Sequence, residues 1–125
     1  MSARPVRVVI VEDNNTFRET LELLFGLREE IEVVASIDTG DKAPPIVAEV
    51  KPDVVLMDYR MPGLNGAEAT RAVLEAYSET RVVCLTASVT RQEIEEVLEA
   101  GAVACITKDQ DLDRLVATIR DAAAT

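Results

Sequence analysis

The chain contains no histidine and no tryptophan. Without an imidazole there is no Ser/His or Cys/His catalytic pair, no imidazole proton transfer and no His-ligated zinc. Aromatic side chains make up 3% of the sequence, namely Phe17, Phe25, Tyr59 and Tyr77, too few to form a platform on which bases stack. Positive charge is also scarce: 13 Lys and Arg stand against 23 Asp and Glu, a net charge of -10 at pH 7. Such a chain repels phosphate backbones and anionic lipid, so no direct contact with nucleic acid or membrane is expected. The two cysteines, Cys84 and Cys105, have no metal-binding spacing and are expected to be free buried thiols in a reducing cytoplasm. No apolar run approaches the roughly 20 residues of a membrane-spanning helix. Met1-Ser2-Ala3-Arg4-Pro5 leads straight into a strand-like run with no cleavage signature, so Asn14-Asn15-Thr16 reads as a helix cap and not as a glycosylation acceptor.

What is present is apolar residues, 48% of 125, enough for one domain to bury a core without disulfides or a structural metal. Residues 1–125 are expected to form that single domain, with no second one in this chain. Runs rich in Val, Ile and Leu recur at residues 6–11, 31–37, 54–57, 82–85 and 103–106. They are short and nearly continuous, the pattern of parallel strands buried on both faces.

Between them lie helical spacings. Ala69, Ala72, Val73 and Ala76 fall at i, i+3, i+4, i+7, as do Ile94, Val97, Leu98 and Gly101, and Leu112, Leu115, Val116 and Ile119. Phe17, Leu21 and Leu24 mark an earlier helix that Thr16 and Glu19 would open as a capping box. A short helix is expected to begin near Pro44-Pro45, since proline is tolerated only in a first turn. The sum is an α/β, flavodoxin-like (βα)5 doubly wound parallel sheet in the order 2-1-3-4-5, with its ligand site beyond the carboxyl ends of the strands.

The chemically distinctive residues fall at that edge. Strand one ends in Glu12-Asp13, strand three in Asp58, strand four in Thr86 and strand five in Lys108, whereas strand two ends at Ile37-Asp38 on the sheet margin, away from the group. Carboxylates about 5 Å apart repel by roughly 3 kcal/mol at an effective dielectric near 20, so three of them either raise a pKa or hold a cation. Hard oxygen donors without His or thiolate favour Mg²⁺ or Mn²⁺, in an incomplete cage that leaves room for a phosphate oxygen. Thr86 and Lys108 supply a hydroxyl and a cation for the other phosphoryl oxygens, and Asp58, central in the sheet, is the best candidate nucleophile.

These residues carry a resemblance. Val9-Ile10-Val11-Glu12-Asp13, the run Leu56-Met57-Asp58-Tyr59-Arg60-Met61-Pro62-Gly63-Leu64-Asn65-Gly66, Cys84-Leu85-Thr86-Ala87 and Ile106-Thr107-Lys108 make residues 6–123 similar to the receiver domain of two-component response regulators. Lys51-Pro52-Asp53-Val54-Val55 and Leu98-Glu99-Ala100-Gly101-Ala102 resemble most the NarL/FixJ subfamily. The resemblance implies Asp58 as phosphoacceptor, Asp13 as direct Mg²⁺ ligand, Glu12 as a ligand through water and the backbone carbonyl of Arg60 as a further ligand. It makes Thr86 the hydroxyl that moves toward the phosphoryl group, Lys108 its ammonium partner, and Ala87 the small residue that leaves it room. Arg60 and Ser88 would flank the water that later hydrolyses the acyl phosphate.

It further implies a sensor histidine kinase as donor, which supplies the missing imidazole, and a signalling face built from the fourth helix, fifth strand and fifth helix that binds a partner or a second copy as a homodimer. Members of the subfamily usually continue into a helix-turn-helix domain; here the sequence stops at Thr125 and an output half is expected to be absent. Two positions depart from the pattern. Cys105 stands where the family commonly has the inward-turning Tyr or Phe, and Asp109 follows Lys108 where Pro is frequent, so a cis peptide there is less expected. A phosphorylation-independent pseudo-receiver for docking or dimerisation is the alternative that Cys105 keeps open. An aspartate-nucleophile phosphatase would want Asp where Arg60 stands, and no P-loop sequence exists for a nucleotide binder.

Overall fold

The computed structural model describes residues 4–87 and 90–124. A single sheet holds β1 (Val6–Val11), β2 (Ile31–Ile37), β3 (Val54–Asp58), β4 (Arg81–Thr86) and β5 (Ala104–Thr107), in the order β2-β1-β3-β4-β5. Every neighbouring pair is parallel, as the unbroken apolar runs foretold. The crossovers are α1 (Asn15–Gly26), α2 (Ala43–Val50), α3 (Gly66–Ala76) and α4 (Arg91–Glu99), and α5 (Leu112–Ala123) follows the last strand.

Alternation along each strand divides the interior into two cores. Val9, Val11, Val55, Met57, Val82 and Cys84 face α2, α3 and α4, meeting Val47, Val73 and Val97. Val8, Ile10, Val54, Leu56, Val83 and Leu85 face α1 and α5, meeting Phe25, Leu115 and Ile119. All of β3 is buried, so its last residue, Asp58, is carried into the middle of the structure.

Local chemistry sets the helix ends. Proline in the first turn of α2 costs no hydrogen bond, and Lys51, at φ 50, closes that helix in the left-handed region. Asn65 and Glu68 form a reciprocal capping box on α3. The box expected for α1 from Thr16 and Glu19 does not form. Asn14 caps instead, its Oδ1 accepting from Phe17 N at 2.9 Å, because the helix starts one residue ahead of Thr16. Asn14→Ala should therefore lower stability by about 1 kcal/mol, read as a lower urea midpoint at unchanged slope; an unmoved midpoint would contradict the cap.

Other boundaries also shift. β5 lies one residue later than the apolar run, so Val103 precedes it and is exposed, and β3 and β4 extend by a residue into the polar end. α4 ends at Glu99, so Gly101, at φ 117, belongs to the turn rather than to the apolar stripe, and Leu98 is exposed; Val97 carries the burial of that helix. Cys84 is buried as expected, but Cys105, on an edge strand, is only half-buried; both thiols are free. Among the described residues there is no cis peptide, and no helix is long and apolar enough to cross a membrane. Ser88 lies outside the described residues.

Candidate functional site

Parallel pairing puts Val11 beside Met57, so Glu12-Asp13, just past β1, and Asp58, the last residue of β3, come side by side at the carboxyl edge of the sheet. Ligand oxygens of Glu12, Asp13 and Asp58 all lie within 4.8 Å of one another. Glu12 and Asp58 are 1% and 3% exposed, whereas Asp13 faces solvent. Glu12 is held in place from several sides. Its Oε2 accepts from Asn14 N at 3.0 Å, its Oε1 meets Lys108 Nζ at 2.6 Å, and Arg18 donates to its backbone carbonyl at 2.8 Å.

Lys108 is anchored by its own backbone N–H, which donates to the Thr86 carbonyl at 2.8 Å. Its ammonium reaches Asp58 Oδ1 at 3.5 Å and lies 4.8 Å from the centroid of the Phe17 ring, a cation–π contact. Thr86 closes β4, buried and in register with Thr107, and Ala87 follows it at the surface. The sequence thus placed Glu12, Asp13, Asp58, Thr86 and Lys108 at one edge, and the structure brings them together there. Asp38 stays out of the group, ion-paired with Lys42 at 2.9 Å.

Electrostatics follow from that crowding. Burial, then the hydrogen bond and charge of Glu12, push the Asp58 carboxyl up to about 8. For Lys108, burial acts downward, but the hydrogen bond to Glu12 and the charge of Asp58 outweigh it and the pKa is raised. Three carboxyl groups meet one ammonium, so the pocket is short of positive charge. Clustered hard oxygens with one carboxyl forced toward its neutral form are the donor set that a divalent cation of the Mg²⁺ type fits.

The loop after Asp58 is shaped by glycine. Gly63 takes φ 79, and Gly66 packs so closely that a Cβ there would stand 2.6 Å from Tyr59 Cα, while its N–H donates to the Tyr59 carbonyl at 2.7 Å. Two contacts from this loop were not foreseen. Tyr59 Oη donates to Glu96 at 2.5 Å, and Arg60 pairs with Glu93 at 3.1 Å, so consecutive residues grip α4. The Glu96 hydrogen bond pushes the Tyr59 phenol up to about 12. The available signal was the acidic pair Glu93 and Glu96, three apart on a helix whose buried residue is Val97. A further surprise is register: Cys84 and Cys105 are direct cross-strand partners. Each thiol is the other's main influence, its hydrogen bond lowering Cys105 and, with burial, raising Cys84.

Fold and site together define a class, a doubly wound signalling domain that gathers acidic side chains, a hydroxyl and an ammonium at the carboxyl edge of its sheet. Residues 8–120 match the response regulator receiver domain family, and the chain belongs to it. It is 34% identical over 115 residues to the transcriptional regulatory protein DegU of Brevibacillus brevis, covering 92% of this chain and 49% of that protein. Against the response regulator GacA of Pseudomonas viridiflava the figures are 35% over 115 residues, 92% and 54%. The signal receiver domain of the response regulator NarL from Mycobacterium tuberculosis superimposes with a TM-score of 0.91 at 32% identity, covering 98% of each chain. The chain spans about half the length of the curated relatives it matches. It is a NarL/FixJ-like receiver of two-component signal transduction.

Proposed function

We propose that this domain accepts a phosphoryl group on Asp58 from a phosphohistidine of a sensor kinase and passes the change to an output partner or domain that acts in transcription. In the transfer, a carboxylate oxygen of Asp58 attacks phosphorus, the P–N bond breaks and the imidazole takes up a proton. The observation that carries the reading is the joint approach of Glu12, Asp13 and Lys108 to the buried Asp58 at the centre of the sheet edge.

Glu12, Asp13, Asp58 and the backbone carbonyl of Arg60 would hold Mg²⁺ or Mn²⁺. The bound ion would supply positive charge that keeps the carboxylates ionised and offsets charge on the transferred group. The other roles belong to the chain. Lys108 is held by the Thr86 carbonyl and by the Phe17 ring, and can move from Glu12 to a phosphoryl oxygen with little displacement. Thr86 supplies a hydroxyl from the adjoining strand, and Ala87 keeps the space beside it small-sided. Added charge of about −1.5 to −2 on Asp58 draws Lys108 and Thr86 inward and biases the face formed by α4, β5 and α5, through which a partner or a second copy would bind.

Only the domain's own phosphoryl transfer and hydrolysis belong to its chemistry, making it a switch and no turnover enzyme. Residues 1–125 serve as one receiver, active in the cytoplasm, with contact to DNA left to an output module and none to membrane. Cys105 in place of an aromatic ring leaves the motion of Thr86 as the switching step.

Incubation with acetyl phosphate and Mg²⁺ should add the mass of one phosphoryl group, and chelation should suppress the gain. An unchanged mass in both conditions would sink the reading. Oligomeric state and partner binding should respond to beryllofluoride; indifference to it would favour a phosphorylation-independent docking module.

A further inference from the structure

We propose that Cys84 and Cys105 form a redox-modification site, a dithiol that a peroxide-class oxidant closes reversibly into a disulfide between β4 and β5 and that thereby governs the phosphoryl site. The cysteines face one another in register on adjacent parallel strands and point to the same side of the sheet, toward α4. Both thiols are free, and Cys105 packs against the core cluster that contains Cys84. Neighbouring strands lie about 4.8 Å apart, inside the roughly 4.4–6.8 Å Cα separation that a disulfide spans.

The pair has an entrance and a backstop. Cys105, on the edge strand, is half-buried and reachable from solvent, while Cys84 lies behind it in the core. A sulfur oxidised at position 105 therefore has a resolving thiol beside it before further oxygen can be added. The chemistry balances with hydrogen peroxide as the named oxidant. The Cys105 sulfur attacks one peroxide oxygen, the O–O bond breaks, and the departing hydroxide leaves as water with the thiol's proton. The Cys84 sulfur then attacks the sulfenic sulfur, the S–S bond forms, the S–OH bond breaks and a second water leaves with the second proton. Two electrons pass from the thiols to the peroxide.

Location gives the bond its consequence. Cys84 stands two residues before Thr86 and Cys105 three before Lys108, on the two strands that present those side chains. In-register Cβ atoms on parallel strands are separated by about the strand spacing, whereas a disulfide wants roughly 3.5–4.5 Å, so closure draws β4 and β5 together. That strain makes the bond easily reduced, as regulatory disulfides are. It also displaces Thr86 relative to Lys108, and since a misplacement of about 1 Å costs around 10²-fold, a smaller shift should slow labelling of Asp58 roughly tenfold. This second half rests on Asp58 as phosphoacceptor; the disulfide does not.

The test is mass spectrometry and thiol alkylation of the whole chain before and after hydrogen peroxide, with acetyl phosphate labelling rates measured in parallel. The expected result is loss of two hydrogen atoms in a monomer, disappearance of both alkylatable thiols, labelling roughly tenfold slower, and recovery of all three with dithiothreitol. Cys105→Ser and Cys84→Ala should each abolish the loss of two hydrogens, and each variant, whatever its own rate, should label equally fast before and after peroxide. Gain of oxygen atoms without the loss, or a disulfide joining two chains, overturns the site. An intramolecular disulfide with unchanged labelling overturns its control of the phosphoryl group. If the reduced protein takes no label at all, the phosphoacceptor reading fails, and the mass and alkylation readouts still decide the disulfide.

Discussion

Asp58→Asn should take no phosphoryl group from acetyl phosphate under conditions that label the native chain fully, and should lose the part of the acid-to-neutral decline in metal-free stability that Asp58 contributes. The first effect follows because an amide oxygen does not form an acyl phosphate at this position. The second follows from linkage. Burial and Glu12 lift the Asp58 carboxyl from 3.8 to about 8, so the folded chain holds that proton more tightly than the unfolded one. Its contribution is thus fully present below pH 3.8 and is lost as pH rises to about 8. In chelator, the native protein should melt progressively lower across that window, and the variant, lacking the group, should not share that part of the decline. Equal labelling of the variant would refute the nucleophile, and an identical pH slope would refute the burial argument.

Gly66→Ala is the second large effect, and it is one of stability. The added methyl would stand 2.6 Å from Tyr59 Cα and 2.9 Å from the Asp58 carbonyl oxygen. Both are backbone atoms, held in turn by Tyr59 N–H on Leu85 O at 3.1 Å and by Gly66 N–H on Tyr59 O at 2.7 Å, so neither can swing aside like a side-chain tip. Overpacking usually costs about 1–3 kcal/mol, and with no soft neighbour the upper end, about 3 kcal/mol, is expected in urea unfolding. Since the displaced backbone carries Asp58 itself, labelling should slow as well. Gly63→Ala is the natural comparison: nothing lies near its Cβ, and only the φ of 79 penalises it, by about 1–2 kcal/mol. A Gly66→Ala protein as stable as the native one would show that the loop gives way more readily than its contacts indicate.

The sheet was easy to read from sequence because strands buried on both faces must be apolar throughout, and five such runs spaced by helical stripes leave few topologies. The carboxyl edge was equally plain: a polar residue ending a buried run has no packing reason to be there, and Glu12, Asp58 and Thr86 each end one, while Lys108 stands just past the half-buried fifth strand. Ends of elements were less legible. Asn14 and Thr16 are both good caps, and only the three-dimensional start of α1 decides between them. Leu98 fitted an apolar stripe but lies at 45% exposure, since periodicity tells which residues share a face and not how far a partner covers it. Pairs distant in sequence were invisible: Tyr59 with Glu96, Arg60 with Glu93 and Cys84 with Cys105 meet only through strand order and register.

Tyr59 and Arg60 tie the loop after Asp58 to α4 at two points. A rearrangement at Asp58 that shifts the next two residues either drags α4 along or breaks two polar bonds, one from a phenol and one from a guanidinium, to carboxylates a single helical turn apart. With Asp58 as the proposed phosphoacceptor, these two contacts would offer a second route from the site, forward through Tyr59 and Arg60 to α4, beside the proposed one through Thr86. Where position 105 carries a cysteine, the aromatic side chain that links the neighbourhood of Asp58 to a helix is Tyr59, through its hydrogen bond to Glu96.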